Sequence, residues 1–386
     1  MARRHSTNDA YHPHSNAGRD RSDVDYNWPT TLRVPSDGPK LVYLDLNHWV
    51  SLAKALSGHG DGERYGSILA ACQTAAEEQY AVFPISDSIY MEIAKIGQYR
   101  QRCDLRRVIE RLSGYVAVPA RSVISRHEIE TLLDSLVGPS PRSIISMDYL
   151  GCGVNWALGL IGFRVMSPEG RDVTEETRAS HPHGPAAFDA LFADAELRLS
   201  RKAIDGFAPG DEAELEASRY DRLVLFRVAE ARAIQEVEQV ERFNDDSRWR
   251  RGRIRDVVAA RELLIEINNP LWEGFAARSA HLPASAPPAS GFLETVFRER
   301  AHARRAFDSM PSFDVSVSMK TSYHRDSNHR WTPNDIHDID ALSSTLPYCD
   351  IVVTDKAVTS HVERTGLADR LNTIVLSRLC DLIGHL

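Results

Sequence analysis

Cysteine is scarce and dispersed in this 386-residue chain. There are five, at Cys72, Cys103, Cys152, Cys349 and Cys380, an odd number with no CxxC pair. That pattern excludes a disulfide framework and a zinc-cluster spacing, and it points to a reducing cytoplasmic location. Long apolar runs are also missing. The weakly polar stretch Val154–Met166 is too short to cross a bilayer and carries Arg164. The N-terminus shows no apolar signal core, so no membrane partner is expected. Positive charge is the third shortage, with 46 Lys and Arg against 54 Asp and Glu and a net charge of −8. The whole molecule is therefore no electrostatic magnet for nucleic acid, and any polyanion site must be built locally.

The chain does have the apolar content for a sizeable core, at 42% hydrophobic residues. Residues 1–38 are rich in Ser, Asn, Asp, Arg, His and Pro without apolar periodicity, which predicts a disordered N-terminal tail. From residue 39 to about 125, strand-like runs at Leu41–Leu44, "YAVFPIS" and "GYVAVPA" alternate with helical patterns, the signature of an α/β sheet. The stretch "SGHGDGERYG" reads as a glycine-rich loop. Residues 126–319 are mainly helical, as in "SRYDRLVLFRVAEARAIQEVEQVERF" and "RIRDVVAARELLIEI". Strand character returns over 320–386 in "CDIVVTDKAV" and "NTIVLS". The expected fold is one α/β domain with a parallel sheet, split by a large helical insertion.

Two strands share one design. Leu41–Leu44 ends on Asp45, and Ile351–Val353 ends on Thr354 and Asp355. A buried strand has no use for a charge, and the carboxyl ends of parallel strands share the edge where ligand crevices form. Asp45 and Asp355 are thus expected on one rim. Thr332 and Pro333 predict a helix start, placing Asp335 and Asp338 on a shared face and Asp340 on the surface. Asp335 has a second reading, as the partner of Thr332 in a capping arrangement. In "SDSIYMEIAK", Glu92 follows Ser86, Asp87 and Ser88, all good N-cap residues. Converging carboxylates repel and raise one another's pKa unless a hard divalent cation, Mg²⁺ or Mn²⁺, neutralises them.

Asp45, Glu92, Asp338 in "NDIHDIDALSS" and Asp355 in "VVTD" resemble the four acidic positions of PIN-domain nucleases. The resemblance covers roughly residues 40–120 and 320–386, and it leaves the helical insertion unaccounted for. It implies a Rossmann-like three-layer α/β/α domain that hydrolyses phosphodiesters with Mg²⁺ or Mn²⁺, with RNA preferred to DNA as the nucleic-acid partner. Asn47, Thr354, Arg325 and Arg330 are candidate substrate contacts, as are Arg248, Arg251 and Arg255, whose spacing makes one basic stripe on a helix. His324, His329 and His337 are too loosely spaced for zinc. Two rivals stand beside this reading. A haloacid-dehalogenase-like phosphohydrolase also starts with a strand ending in Asp, but its motif wants a second Asp where this chain has Asn47. A catalytically silent scaffold would use the helical insertion to bind a protein partner or a second copy.

Overall fold

In the computed structural model of the chain, residues 32–35, 38–137, 147–160, 162–210, 224–245, 254–279 and 309–386 are described. Their strands, in chain order, are β1 Leu32–Arg33, β2 Lys40–Leu44, β3 Ala81–Val82, β4 Val116–Ala117, β5 Met147–Asp148, β6 Gly151–Cys152, β7 Ile351–Val353 and β8 Ile374–Leu376. The principal sheet has the order β3-β2-β7-β8, and every neighbouring pair is parallel. β2 and β7 lie at its centre. Their apolar runs follow from burial on both faces: Leu41, Val42, Tyr43 and Leu44, like Ile351, Val352 and Val353, are fully buried.

Register decides what those strands present. Leu44 pairs with Val353, so the two strands end level. The Asp45 amide then donates to the Val353 carbonyl at 2.9 Å, which brings Asp45 alongside the end of β7. From β2 the chain passes through helices Leu46–Leu56 and Gly66–Glu77 to β3 on one side. From β7 it passes through helices Lys356–Thr365 and Leu367–Leu371 to β8 on the other. The connections leave the β2/β7 boundary in opposite directions, the arrangement that opens a crevice at the carboxyl ends of the strands.

Several sequence expectations are refined by packing. The glycine-rich stretch is not an open loop but a 3-10 turn over Gly60–Tyr65. A side chain at Gly62 would place its Cβ 2.3 Å from the Lys54 carbonyl carbon, so only glycine fits there. "YAVFPIS" contributes just Ala81–Val82 as strand, because Pro84 has no N–H to give a ladder. Ile85 instead forms a single parallel bridge with Ala117, and β4 turns antiparallel to β6. The expected N-terminal tail lies outside the described residues up to position 31, but Leu32–Arg33 pairs in parallel with β5.

The helical middle packs into the same core as the sheet. Ile124, Val154, Ile204, Ala229 and Met319 share one apolar cluster with β2 and β7. A second cluster joins Leu133, Val258, Phe275, Phe313 and Val317. Helix Pro311–Arg325 is buried along most of its length because it sends Val315 and Met319 into the first cluster and Phe313 and Val317 into the second. Helix Arg121–Val137 runs through the 125/126 junction, and helix Pro311–Arg325 through the 319/320 junction. Among the described residues no helix is long and apolar enough to cross a membrane.

Candidate functional site

Asp45 and Asp355 do double duty at the ends of their strands. Each is the N-cap of the helix that follows: Asp45 accepts the Leu46 N–H at 2.7 Å, and Asp355 accepts the Val358 N–H at 2.8 Å. A strand that turns at once into a helix needs such an acceptor, and the helix dipole favours a negative charge there. His48 Nε2, 3.2 Å from the Thr354 carbonyl, ties the two strand ends together.

The other two acids arrive on helices. Ser86 caps helix Asp87–Lys95 and its hydroxyl lies 3.0 Å from the buried Tyr43 hydroxyl, which anchors that helix to β2. Ser88 Oγ donates to the His337 carbonyl at 3.3 Å, and Lys95 Nζ to Asn334 Oδ1 at 2.9 Å. These two ties clamp the helix to helix Pro333–Thr345 on either side of Glu92. Glu92 thereby comes within electrostatic reach of Asp338, which the second helix carries.

Asp45, Glu92 and Asp338 each feel the charges of neighbouring carboxylates. Asp338, half-buried, is pushed well above the usual carboxylate range, first by burial and then by the charges of Asp45, Glu92, Asp355 and Asp335. Glu92 is pushed up to about 7 by burial and by Asp45, against the pull of Lys95. Burial also raises Asp45; His48 and the Leu46 N–H oppose that rise, and Asp355 adds to it. Among the described residues, neither Glu92 nor Asp338 makes a hydrogen bond or ion pair through its carboxylate. No group of three or more His, Cys, Asp or Glu side chains among the described residues is set closely enough to hold a metal ion. The acids form a rim coupled through space, not a closed coordination shell.

The remaining candidates separate clearly. Asn47 is exposed, with its amide 3.4 Å from Asp45 Oδ2, and Thr354 is buried, with its carbonyl facing His48. Asp335 acts as a cap: its Oδ2 accepts the Thr332 N–H at 2.6 Å and hydroxyl at 2.9 Å. Arg325 and Arg330 are exposed and hold no carboxylate among the described residues. Arg255 departs from the basic stripe expected of it. It donates to Ser318 Oγ at 3.0 Å and Asp314 Oδ1 at 2.5 Å, so its charge is compensated internally. Arg248 and Arg251 lie outside the described residues.

Asp340 is not on the surface. It is buried, bound to Arg121 at 2.7 Å and to Arg232 at 2.5 Å, and those guanidinium groups hold its carboxyl well below the usual range. The arginines come from outside the sheet, so the local sequence around Asp340 holds no sign of them. His48 and Tyr323 are the site residues that sequence reasoning missed. His48 had a signal, since it lies within the first turn after the Asp45 cap. Tyr323 had only its place among the histidines of "SYHRDSNHRW". Its phenol is raised by burial and by Asp338, Asp335 and Asp355, which places it against the rim.

Scans of the chain against protein-family models, curated proteins and solved structures return no match.

Proposed function

We propose that the chain is a metal-dependent phosphodiesterase of PIN-like type, a ribonuclease whose centre is the rim of Asp45, Glu92, Asp338 and Asp355. The observation that carries this reading is the state of Asp338. Its carboxylate is half-buried, without a hydrogen bond or ion pair among the described residues, and exposed to the charges of four other acids at a strand-order switch point. Proteins do not retain such a concentration of uncompensated negative charge for stability, because each added charge costs the fold.

The donor chemistry suits a hard divalent cation, and holding one requires these side chains to close in from the wider spacing they have here. All four side chains offer oxygen, and no Lys or Arg is ion-paired to any of them among the described residues. Asp45 and Asp355 would hold it from the rigid sheet, and Glu92 and Asp338 from the two clamped helices. When bound, Mg²⁺ or Mn²⁺ supplies Lewis acidity, which acidifies water and shields charge on a phosphoryl oxygen. The chain's own contribution is to keep the four oxygen donors on elements whose relative positions are fixed by the sheet register and the Ser88 and Lys95 ties. His48 keeps the two strand ends in step.

The test is cleavage of labelled RNA and DNA by the purified chain with Mn²⁺ and with EDTA. Metal-dependent cleavage of RNA, lowered by at least about a hundredfold in Asp338→Asn, is the expected result. A phosphoryl group trapped covalently on Asp45 would replace this reading with a phosphohydrolase.

A further inference from the structure

We propose that Arg364, Arg330 and Arg325 form the phosphate-holding bank of the acid rim, and that they grip the backbone of a phosphodiester strand. The inference rests on the nuclease reading and adds the path of the substrate to it.

The bank is built on one stack of rings. Tyr323 lies 4.1 Å from His361 and 4.4 Å from His329, centroid to centroid, and 5.4 Å from Trp331. Each arginine is attached to this stack by its own element. Arg364 sits with Nη2 3.0 Å from His361 Nδ1 and 3.1 Å from Nε2, while its Nε donates to the Ser360 carbonyl at 3.2 Å. His361 is held in turn by Ser322 Oγ at 2.8 Å from Nδ1. Arg330 follows the stacked His329 directly, and Arg325 ends the helix that carries Tyr323.

All three arginines are exposed, and none binds a carboxylate among the described residues. That sets them apart from Arg255, Arg232 and Arg261, each of which is bonded to an acid. The rings that fix them also touch the acid side. His329 Nε2 lies 3.4 Å from Asp335 Oδ2, and the Tyr323 phenol is close to Asp338, Asp355 and Arg364 together. Arg364 is nine residues past Asp355 on one helix, about 13 Å along its axis. A nucleic-acid strand covers that distance in about four nucleotides. Exposed cations that hold no carboxylate among the described residues, set beside acids that hold no Lys or Arg there, suit a ligand whose phosphates need the first while its scissile bond faces the second.

The experiment measures binding of the full chain to short fluorescent single-stranded RNA and to DNA of the same sequence, in EDTA, across a salt series. Arg325→Ala/Arg330→Ala/Arg364→Ala is compared with Arg64→Ala/Arg100→Ala/Arg111→Ala. The control removes the same charge from exposed positions that hold no carboxylate among the described residues, one on the 3-10 turn Gly60–Tyr65 and two on helix Tyr99–Ser113. The rim variant is expected to bind about tenfold more weakly on both strands, with a salt slope lower by about 2, or roughly 0.7 for each lost contact. The control is expected to match the wild type. An unchanged slope in the rim variant, or an equal loss in both variants, overturns the proposal. So does a loss confined to RNA, since that places the contact on the 2′-hydroxyl. Binding that needs the three arginines, in a wild type that cuts nothing with Mn²⁺, supports the strand path and counts against the nuclease reading alone.

Discussion

Asp338 and Asp340 stand two residues apart on one helix, and their surroundings push their acidities in opposite directions. Asp338 faces four other acids, with no ion pair among the described residues, and is raised far above the ordinary range. Asp340 faces Arg121 and Arg232 and is held far below it. The helix is a divider: one side carries uncompensated charge, and the other is bonded into the helical part of the molecule. Beyond Asp340 that bonding continues through buried Glu262, 2.7 Å from Lys320, and Glu236, 2.9 Å from His324.

Replacing Asp340 with Asn leaves two arginines facing a neutral side chain in the interior. Loss of one partner from a buried ion cluster costs about 3–5 kcal/mol, and urea denaturation should show a loss of that size. The folded-state pKa of Asp340 is depressed, so its contribution is present above the unfolded value of 3.8 and is lost as pH falls through the lower folded value. The deficit of the variant should therefore be constant across neutral pH. A loss under about 1 kcal/mol would show that the arginines find other partners.

Glu92 carries the opposite sign. Its folded pKa of about 7 lies above the unfolded 4.5, so its favourable contribution is complete below 4.5 and is lost as pH rises through 7. In EDTA, Glu92→Gln should be more stable than the wild type at pH 8, by up to about 3 kcal/mol, and should lose that advantage in acid. Thermal melts at the two pH values check it.

Metal should reverse that penalty. At a hundred times its Kd, Mn²⁺ binding to the folded state alone adds about 2.7 kcal/mol of stability. Calorimetry should find a higher Tm with Mn²⁺ in the wild type and little change in Asp338→Asn. A wild type indifferent to millimolar Mn²⁺ would count heavily against a metal site on this rim.

Arg255 tests the other direction. Arg370 also binds Asp314, at 2.9 Å, so Arg255→Ala should cost only about 1 kcal/mol. The salt slope for RNA binding should stay at the wild-type value, because a charge already paired inside the protein releases no counterions from nucleic acid. A lower slope would restore Arg255 to the substrate path.

The sequence alone determined the two central strands and the acids that end them. A run of β-branched or large apolar residues stopping at Asp is legible because burial on both faces permits no charge before the strand's tip. It also determined the start of helix Pro333–Thr345, since Thr332, Pro333 and Asp335 are local capping chemistry and form the capping box observed. Tertiary structure alone decided which acids meet. Glu92 and Asp338 are far apart in the chain, and their approach depends on Ser88 reaching the His337 carbonyl and Lys95 reaching Asn334. The same holds for the opposite fates of Asp338 and Asp340 and for the internal pairing of Arg255. A charged side chain looks alike in sequence whether it meets water, a like charge or a counterion. Only the packing of distant elements settles which one it faces, and with it the sign of its contribution.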